Sequence, residues 1–344
     1  METLLSAQGR QTRFHIGEPS EIATARRAAC DLARTLGFNE TATGEVAIVV
    51  TEAGTNITKY AGSGEILLRK ALRHDGAVGI EILALDQGPG ISHLSLSMQD
   101  GQSTAGSYGI GLGTMGRLAD QFGIYTAAGQ GTVICLAFWG KPDAAFASGC
   151  DIGVVCLPLA GETMSGDAWS VRREGRKVTV LLADGLGHGP LAATASEAAC
   201  LTLASPLDTA GQVIRKAHIA LQRTRGAAVG VACLDDDADD MVFAGVGNIA
   251  GCLLDEGKTH RLISDHGIVG SNLHKVREVA APWSSRALLI MHSDGIRSRW
   301  DVDRYPGLAL LSPALIAAVI YRDFNRRNDD VTVLVCRQHG GDES

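Results

Sequence analysis

The segment TEAGTNITKYA, residues 51–61, is the starting point for predicting the structure of the first half of this 344-residue chain. Apolar residues recur through it at helical spacing and predict a helix over Thr43–Tyr60. Away from the apolar stripe, Glu52 and Asn56 lie four residues apart and Lys59 lies three further on. One helix face therefore presents a carboxylate, an amide and an ammonium group. Such a face is more often simply solvated, so its meaning depends on the motifs around it.

Two glycine-rich motifs follow this helix along the chain. The first, DQGPG at residues 86–90, comes directly after a predicted strand, so Asp86 lies at a strand end beside a sharp turn. The second, GIGLG at residues 109–113, opens a predicted helix, and the amides at a helix N-terminus favour phosphate. The glycines of interest are Gly88, Gly90, Gly109, Gly111 and Gly113.

In this order, the three motifs resemble the GHKL ATPase superfamily over roughly residues 10–140, and within it the bacterial anti-sigma-factor and stressosome serine kinases. The residues around Glu52 look more like the RsbT branch than the RsbW branch. The resemblance implies that Asn56 holds Mg²⁺, that Asp86 binds the adenine amino group of ATP, and that the glycines wrap the phosphates. It further implies that Glu52 is the base for the substrate hydroxyl and that Lys59 contacts phosphate.

The second half places aspartates at the ends of predicted strands. Asp184 ends a strand, Asp294 follows one, the pair Asp329-Asp330 begins one, and Asp167 lies in a Gly-Asp turn. If these strands are antiparallel neighbours, their carboxylates converge at one edge. Each Asp-Gly taken alone is more often an ordinary turn. Together, without histidine or cysteine, the aspartates suit a hard cation such as Mg²⁺ or Mn²⁺.

These motifs resemble the metal-dependent (PPM-type) protein phosphatases of the SpoIIE/RsbU/RsbX branch over roughly residues 150–338. The resemblance implies two Mn²⁺ or Mg²⁺ ions held by Asp167, Asp184, the Gly185 carbonyl, Asp294 and the first aspartate of the last pair. Asp329 aligns better than Asp330, and that choice stays open at the sequence level. A water activated by the metal ions would attack the phosphorus.

Composition and sequence features limit the partners, the location and the fold that we expect. The net charge of −7 lacks the strongly basic footprint of a nucleic-acid-binding protein. No signal peptide or membrane-spanning segment is recognised, and the eight cysteines are scattered singly, so we expect a cytoplasmic protein with reduced thiols and no membrane partner. The predicted fold is α+β with two domains: a GHKL (Bergerat) α/β sandwich at 1–140, a linker at 141–150, and a PPM-type β-sandwich flanked by helices at 151–344.

The sequence thus predicts an ATP-dependent serine/threonine kinase fused to a metal-dependent phosphoserine/phosphothreonine phosphatase. By resemblance, its substrates are STAS-domain antagonist proteins of the RsbS/RsbR kind, with a downstream phosphatase or a sigma factor as further candidate partners. The alternative is a phosphatase whose first domain only binds ATP and a sigma factor or STAS partner. Glu52 favours the enzyme, because a pure binding module has no use for a base at that position.

Overall fold

Three antiparallel sheets and six α-helices organise the part of the chain that the computed structural model describes. That part comprises the backbone of residues 3–6 and residues 11–92, 94, 111–143, 150–204, 209–255 and 257–338. The helices are α1 (Pro19–Thr35), α2 (Glu40–Asn56), α3 (Gly111–Leu118), α4 (Pro190–Leu201), α5 (Ala210–Ala220) and α6 (Pro313–Phe324). The strands are β1 (Thr3–Ser6), β2 (Thr12–Ile16), β3 (Gly64–Leu72), β4 (Val78–Asp86), β5 (Gln121–Thr126), β6 (Thr132–Trp139), β7 (Cys150–Leu157), β8 (Asp167–Glu174), β9 (Lys177–Gly185), β10 (Ala227–Asp235), β11 (Asp240–Val246), β12 (Ala250–Asp255), β13 (Lys258–Leu262), β14 (Glu278–Pro282), β15 (Leu288–His292) and β16 (Val331–Gln338).

The first domain is a five-stranded sheet, ordered β2-β3-β4-β6-β5, with α1, α2 and α3 on one face. Asn39 caps α2 by accepting a hydrogen bond from the amide of Ala42 at 2.9 Å. The α-helical geometry of α2 ends at Asn56, and residues 57–61 form a π-helical turn that stops at Gly62 with φ 78°. The helix predicted to continue to Tyr60 therefore changes its register four residues earlier.

The second domain is a sandwich of two sheets, ordered β1-β8-β9-β10-β11-β14 and β13-β12-β15-β16-β7. Apolar residues of both sheets form the core between them. Helices α4 and α5 cover the outer face of the six-stranded sheet, and α6 covers the outer face of the five-stranded sheet. These layers confirm the predicted α+β fold with two domains.

Helix α6 also joins the two domains. It packs on β7 and β16 of the second domain, and its other side lies against the face of the first sheet that α1, α2 and α3 leave free. Leu315 comes so near the first sheet that a Cβ atom on Gly123 would lie 2.7 Å from its Cδ1. Residues 313–322 are all buried. One helix thus serves as core for both domains.

The N-terminal residues contribute a strand to the second domain. β1 pairs with β8, so residues 3–6 extend a sheet of the second domain although they belong to the range 1–140. Residues 144–149 of the linker lie outside the described residues. None of the eight cysteines, all within the described residues, forms a disulfide bond. None of the helices in the described ranges is long and apolar enough to cross a membrane.

We predict that Leu315→Ala destabilises both domains together. Removing a fully packed leucine side chain costs about 2–5 kcal/mol in a core, and this core belongs to both sheets. Hydrogen exchange should show faster opening of β4 and β16 amides to a similar degree. Leu201→Ala is the control, because Leu201 is 60% exposed on α4 and should change little. Loss of protection confined to β16 would show that the first domain does not depend on α6.

Candidate active sites

In the first domain, Glu52 and Asn56 lie one turn apart on α2, and both are half-buried. The first residue of α3, Gly111, lies against them. A Cβ atom on Gly111 would be 3.0 Å from Oε2 of Glu52 and 3.5 Å from Nδ2 of Asn56. Glycine therefore lets the amino end of α3 approach both polar groups. The structure brings the first and third sequence motifs together, although they lie about 55 residues apart in the chain.

Asp86 lies at the end of β4 with its carboxylate anchored. Its Oδ1 accepts hydrogen bonds from the amides of Gly88 at 2.8 Å and Thr132 at 3.2 Å. Gly90 follows in a left-handed conformation with φ 71°, which favours glycine. Burial raises the pKa of Asp86, and the two amides oppose that rise. Oδ2 has no hydrogen-bond partner within the described residues, so it is available to accept one from an amino group.

The other predicted nucleotide-binding residues differ in exposure, and one of them lies outside the described part of the chain. Lys59 is exposed on the π-helical turn, with Nζ 4.9 Å from the centre of the Tyr60 ring. Because the register changes after Asn56, the sequence spacing no longer fixes Lys59 on the face of Glu52. Gly113 is buried on α3, and Gly109 lies outside the described residues.

In the second domain, Asp167 and Asp184 lie opposite each other on the paired strands β8 and β9. Asp167 is only 4% exposed. Its Oδ2 accepts a hydrogen bond of 2.6 Å from Oγ of Ser293, which follows β15 in the other sheet. This hydrogen bond between side chains thus links the two sheets at this end of the sandwich.

Asp294 and Asp329 come from the five-stranded sheet, at the end of β15 and just before β16. Oδ2 of Asp294 accepts a hydrogen bond of 2.7 Å from Nδ2 of Asn248. Asp330, next to Asp329, uses both carboxylate oxygens to accept backbone amides, those of Leu159 at 2.8 Å and Gly166 at 2.9 Å. The contacts of Asp330 are those of a structural residue, which favours Asp329 as the metal ligand.

These carboxylates do not share one sheet edge, because the condition that all their strands are antiparallel neighbours is met only in part. β8 and β9 are neighbours in one sheet, whereas β15 and β16 are neighbours in the other. The two antiparallel pairs meet at the same end of the sandwich. Convergence therefore depends on the packing of the sheets as well as on strand pairing.

The electrostatics of this end indicate a site for cations. Burial, followed by the charges of Asp294 and Asp329, raises the pKa of Asp184 to about 7. Burial and then Asp184 raise the pKa of Asp167 well above its usual range. The donors are oxygen atoms, which divalent Mg²⁺ and Mn²⁺ prefer. Across the described residues, no three His, Cys, Asp or Glu side chains form a ready-made metal site, so water and backbone oxygen would have to complete the coordination.

Gly185 is the predicted source of that backbone oxygen. Its amide donates to the carbonyl of Gly166 at 3.1 Å, and a Cβ atom on it would lie 2.1 Å from the carbonyl oxygen of Ala192 on α4. Only glycine permits this contact between β9 and α4. Nearby, Nδ1 of His188 lies 2.8 Å from Oε1 of Glu162 at the surface, as a histidine in a structural turn would.

Two residues that hold the carboxylates in place, Ser293 and Asn248, have no role in the sequence prediction. Ser293 is fully buried, donates to Asp167, and accepts the amide of Thr332 at 2.9 Å. Asn248 donates to Asp294. Both lie in motifs visible in the sequence, Ser293-Asp294-Gly295 and Gly247-Asn248, but their partners are separated from them by strands whose packing the sequence does not reveal.

The C-terminal end of α6 contacts both sites. Nη1 of Arg322 donates to the carbonyl of Asp86 at 3.4 Å, and Nε2 of Gln87 donates to the carbonyl of Arg322 at 3.2 Å. Four residues later, the amide of Arg326 donates to the carbonyl of Gly295 at 2.8 Å. The adenine-side loop and the loop of Asp294 are therefore linked through a five-residue segment.

Comparison with protein families matches two regions of the chain. Residues 17–138 match the histidine kinase-like ATPase domain. Residues 174–339 match the stage II sporulation protein E (SpoIIE) family. The matches fall on the two domains and include all the described candidate site residues except Asp167, which precedes the second match.

Individual relatives agree with this division. The serine/threonine-protein kinase RsbT of Bacillus subtilis is 37% identical over 119 residues, which are 35% of this chain and 89% of RsbT. A structure solved in work on the bacterial stressosome, a modular system adapted to control secondary messenger signalling, is 28% identical with a TM-score of 0.52, and the match covers 55% of this chain and 99% of the other. RsbX in complex with magnesium has the same fold, at 20% identity and a TM-score of 0.50, over 55% of this chain and 94% of RsbX.

We predict that Asp184→Asn and Asp294→Asn each weaken Mn²⁺ binding at least about a hundredfold without unfolding the domain, because each would remove a negative charge from the candidate metal site. Titration calorimetry with Mn²⁺ measures the loss, and Asp303→Asn, at an exposed aspartate, is the control. Retained affinity in both variants would contradict the site.

The metal-free Asp184→Asn protein should also show a changed pH dependence of stability. In the wild type the folded state holds a proton on Asp184 up to about pH 7, whereas the unfolded state releases it near pH 4. Unfolding therefore releases a proton in this window, and wild-type stability falls as the pH rises. The variant should gain stability over wild type at pH 8, and the gain should shrink at pH 5, as measured by urea unfolding.

Proposed function

Since residues 17–138 of this chain belong to the histidine kinase-like ATPases and residues 174–339 to the SpoIIE family, we propose that it is a partner-switching regulator with two opposed activities. The first domain transfers phosphate from ATP to a serine or threonine of a protein, and the second domain removes it. The observation that carries the proposal is that each domain assembles its own polar set, with Glu52 and Asn56 against Gly111, and Asp184 near Asp294 and Asp329.

In the proposed kinase reaction, Oδ2 of Asp86 accepts the adenine amino group and the amides at the start of α3 face the phosphates. Asn56 would hold the Mg²⁺ that accompanies ATP. Glu52 takes the proton from the substrate hydroxyl as that oxygen bonds to the γ-phosphorus and ADP leaves. Phosphoryl transfer depends mainly on positioning and charge neutralisation, so these few groups suffice.

In the proposed phosphatase reaction, two Mn²⁺ or Mg²⁺ ions would be held by Asp167, Asp184, the Gly185 carbonyl, Asp294 and Asp329. When bound, they would supply an activated water, whose oxygen bonds to the phosphorus as the serine or threonine oxygen leaves. The protein contributes the orientation of its carboxylates: Ser293 holds Asp167, and Asn248 holds Asp294. Burial of Asp167 keeps bulk water away from that side of the centre.

The proposed substrates are STAS-domain antagonist proteins of the RsbS/RsbR kind, in a sigma-factor or stressosome pathway of the cytoplasm. The support is the 37% identity with RsbT and the likeness to a chain from work on the stressosome. In the rival function, the first domain binds ATP and a partner without phosphorylating it. The position of Glu52 against the amino end of α3 favours the kinase.

We predict that Glu52→Ala lowers the phosphotransfer rate about 10²–10⁴-fold, the usual cost of losing a general base. ATP affinity should change little, because Asp86 and the glycines hold the nucleotide. Glu45→Ala, seven residues earlier on α2, is the matched control. The assay measures transfer of labelled phosphate to a STAS-domain protein. If the variant phosphorylates as fast as wild type, Glu52 is not the base; if wild type binds ATP but transfers nothing, the rival function stands.

We further predict that the two domains cycle phosphate on a common hydroxyl. With ATP, Mn²⁺ and a STAS-domain partner, wild type should release phosphate continuously, whereas Asp184→Asn should consume ATP only until the partner is fully phosphorylated. Close packing of the domains keeps a docked partner near both sites, which raises its effective concentration. If wild type also stops after one equivalent, the two domains serve separate phosphosites.

A further inference from the structure

An open pocket of about 560 Å³ lies beside the C-terminal end of α6. Its lining consists of Arg297, Ser298, Arg299, Asp323, Phe324, Arg326 and Asn328. We call it the arginine pocket. None of its residues belongs to the metal-ligand set or to the nucleotide site.

Backbone hydrogen bonds fix the arginine pocket next to the phosphatase centre. The amide of Arg297 donates to the carbonyl of Phe324 at 2.9 Å, and the amide of Arg326 donates to the carbonyl of Gly295 at 2.8 Å. Arg297 comes three residues after Asp294, and Asn328 directly precedes Asp329. Two walls of the pocket are therefore continuous with two of the proposed metal ligands.

The charge of the arginine pocket is uncompensated. Arg297, Arg299 and Arg326 are exposed, and among the described residues none of them forms an ion pair. The one acidic lining residue, Asp323, is already occupied, since it accepts Nε and Nη2 of Arg322 and the hydroxyl of Tyr305. Clustered positive charge in a chain of net charge −7 creates a local potential that attracts anions.

The neighbouring Arg327 is a further exposed arginine, and its backbone has an unfavourable conformation. Its φ is 62°, in the left-handed region that glycine and asparagine adopt more readily. The side chain of Asn325 stabilises the turn by accepting the amide of Arg327 at 2.8 Å. The turn therefore carries a fourth exposed guanidinium at a position whose conformation does not favour arginine.

The ligand must be anionic and large enough to lie across an open surface. An arginine fork matches the two oxygens of a carboxylate. The proposed phosphatase centre is next to the pocket, so a phosphoprotein bound there would extend its flanking residues over these arginines. We propose that the arginine pocket binds acidic side chains adjacent to the phosphorylated residue of a protein substrate, and so sets substrate specificity. This proposal rests on the proposed phosphatase function.

The test compares two phosphoserine peptides of equal length, one with Asp and Glu flanking the phosphoserine and one with Asn and Gln, together with p-nitrophenyl phosphate. Wild type should hydrolyse the acidic peptide with a kcat/KM about tenfold above that of the neutral one, the effect of two or three exposed ion pairs. Arg297→Glu/Arg326→Glu should abolish or invert this ratio through KM, while hydrolysis of p-nitrophenyl phosphate stays at the wild-type level.

A control variant carries the same charge change away from the pocket. Lys258→Glu/Arg286→Glu alters two exposed residues at the opposite end of the β12–β15 pair, and it should keep the preference for the acidic peptide. The preference of wild type should also weaken as the salt concentration rises.

The outcomes separate the two claims. If wild type hydrolyses p-nitrophenyl phosphate but shows no preference for the acidic peptide, or if Arg297→Glu/Arg326→Glu keeps the preference, the arginine pocket does not bind substrate. If wild type with Mn²⁺ hydrolyses none of the three compounds, the phosphatase function itself fails and the pocket proposal fails with it.

Discussion

Helix α6 is buried by two sheets at once, and the arrangement of both domains depends on this constraint. A helix that is apolar on all sides is stable only when every side is covered, and residues 313–322 have no exposed member. The five-stranded sheet of the second domain covers one side, and the first sheet covers the other. The first sheet in turn needs this cover, since Leu67, Leu83 and Leu85 point away from α1, α2 and α3 and are buried only against α6 and its surroundings.

The same constraint brings polar groups of the two domains into contact. The hydroxyl of Tyr321 on α6 donates to Glu65 of the first sheet at 2.8 Å. Its neighbour Arg322 contacts Asp86 and Gln87, and the chain that follows leads within a few residues to Gly295 and Asp329. The loop of Asp86 is therefore hydrogen-bonded to a helix end whose next hydrogen bonds hold the loop of Asp294. The two centres are joined through packed structure as well as through a linker.

Local sequence signals predicted helix α2, the start of α3, and the mainly apolar strands β4, β9 and β16, because propensity and periodicity are local properties. They missed β8, whose Arg172 and Arg173 are polar in sequence but buried in the structure, and β13, which is an exposed edge strand.

The candidate site residues were named from motifs, yet they come together only through contacts between distant segments. Gly111 against Glu52, and Ser293 against Asp167, join segments about 60 and 126 residues apart, and no spacing rule encodes such contacts. For the same reason the sequence could not show that Asp184 and Asp294 lie on different sheets.

At the end of the sandwich that carries the candidate metal site, aspartates and arginines lie close together in the sequence. The two charges have different physical consequences. Burial and neighbouring carboxylates raise the pKa values of Asp167 and Asp184, so this end is unfavourable in the absence of a cation. The stability lost there must be supplied by the apolar core between the sheets. Those carboxylates also repel any anionic substrate before cations bind. The arginines at positions 297, 299, 326 and 327 lie on the two turns that carry Asp294 and Asp329, where the proposed contacts with acidic side chains would hold the flanking residues of a protein substrate away from these carboxylates. Because both signs of charge are carried on the same two turns, the conformation of each turn sets the position of an aspartate and of two arginines together.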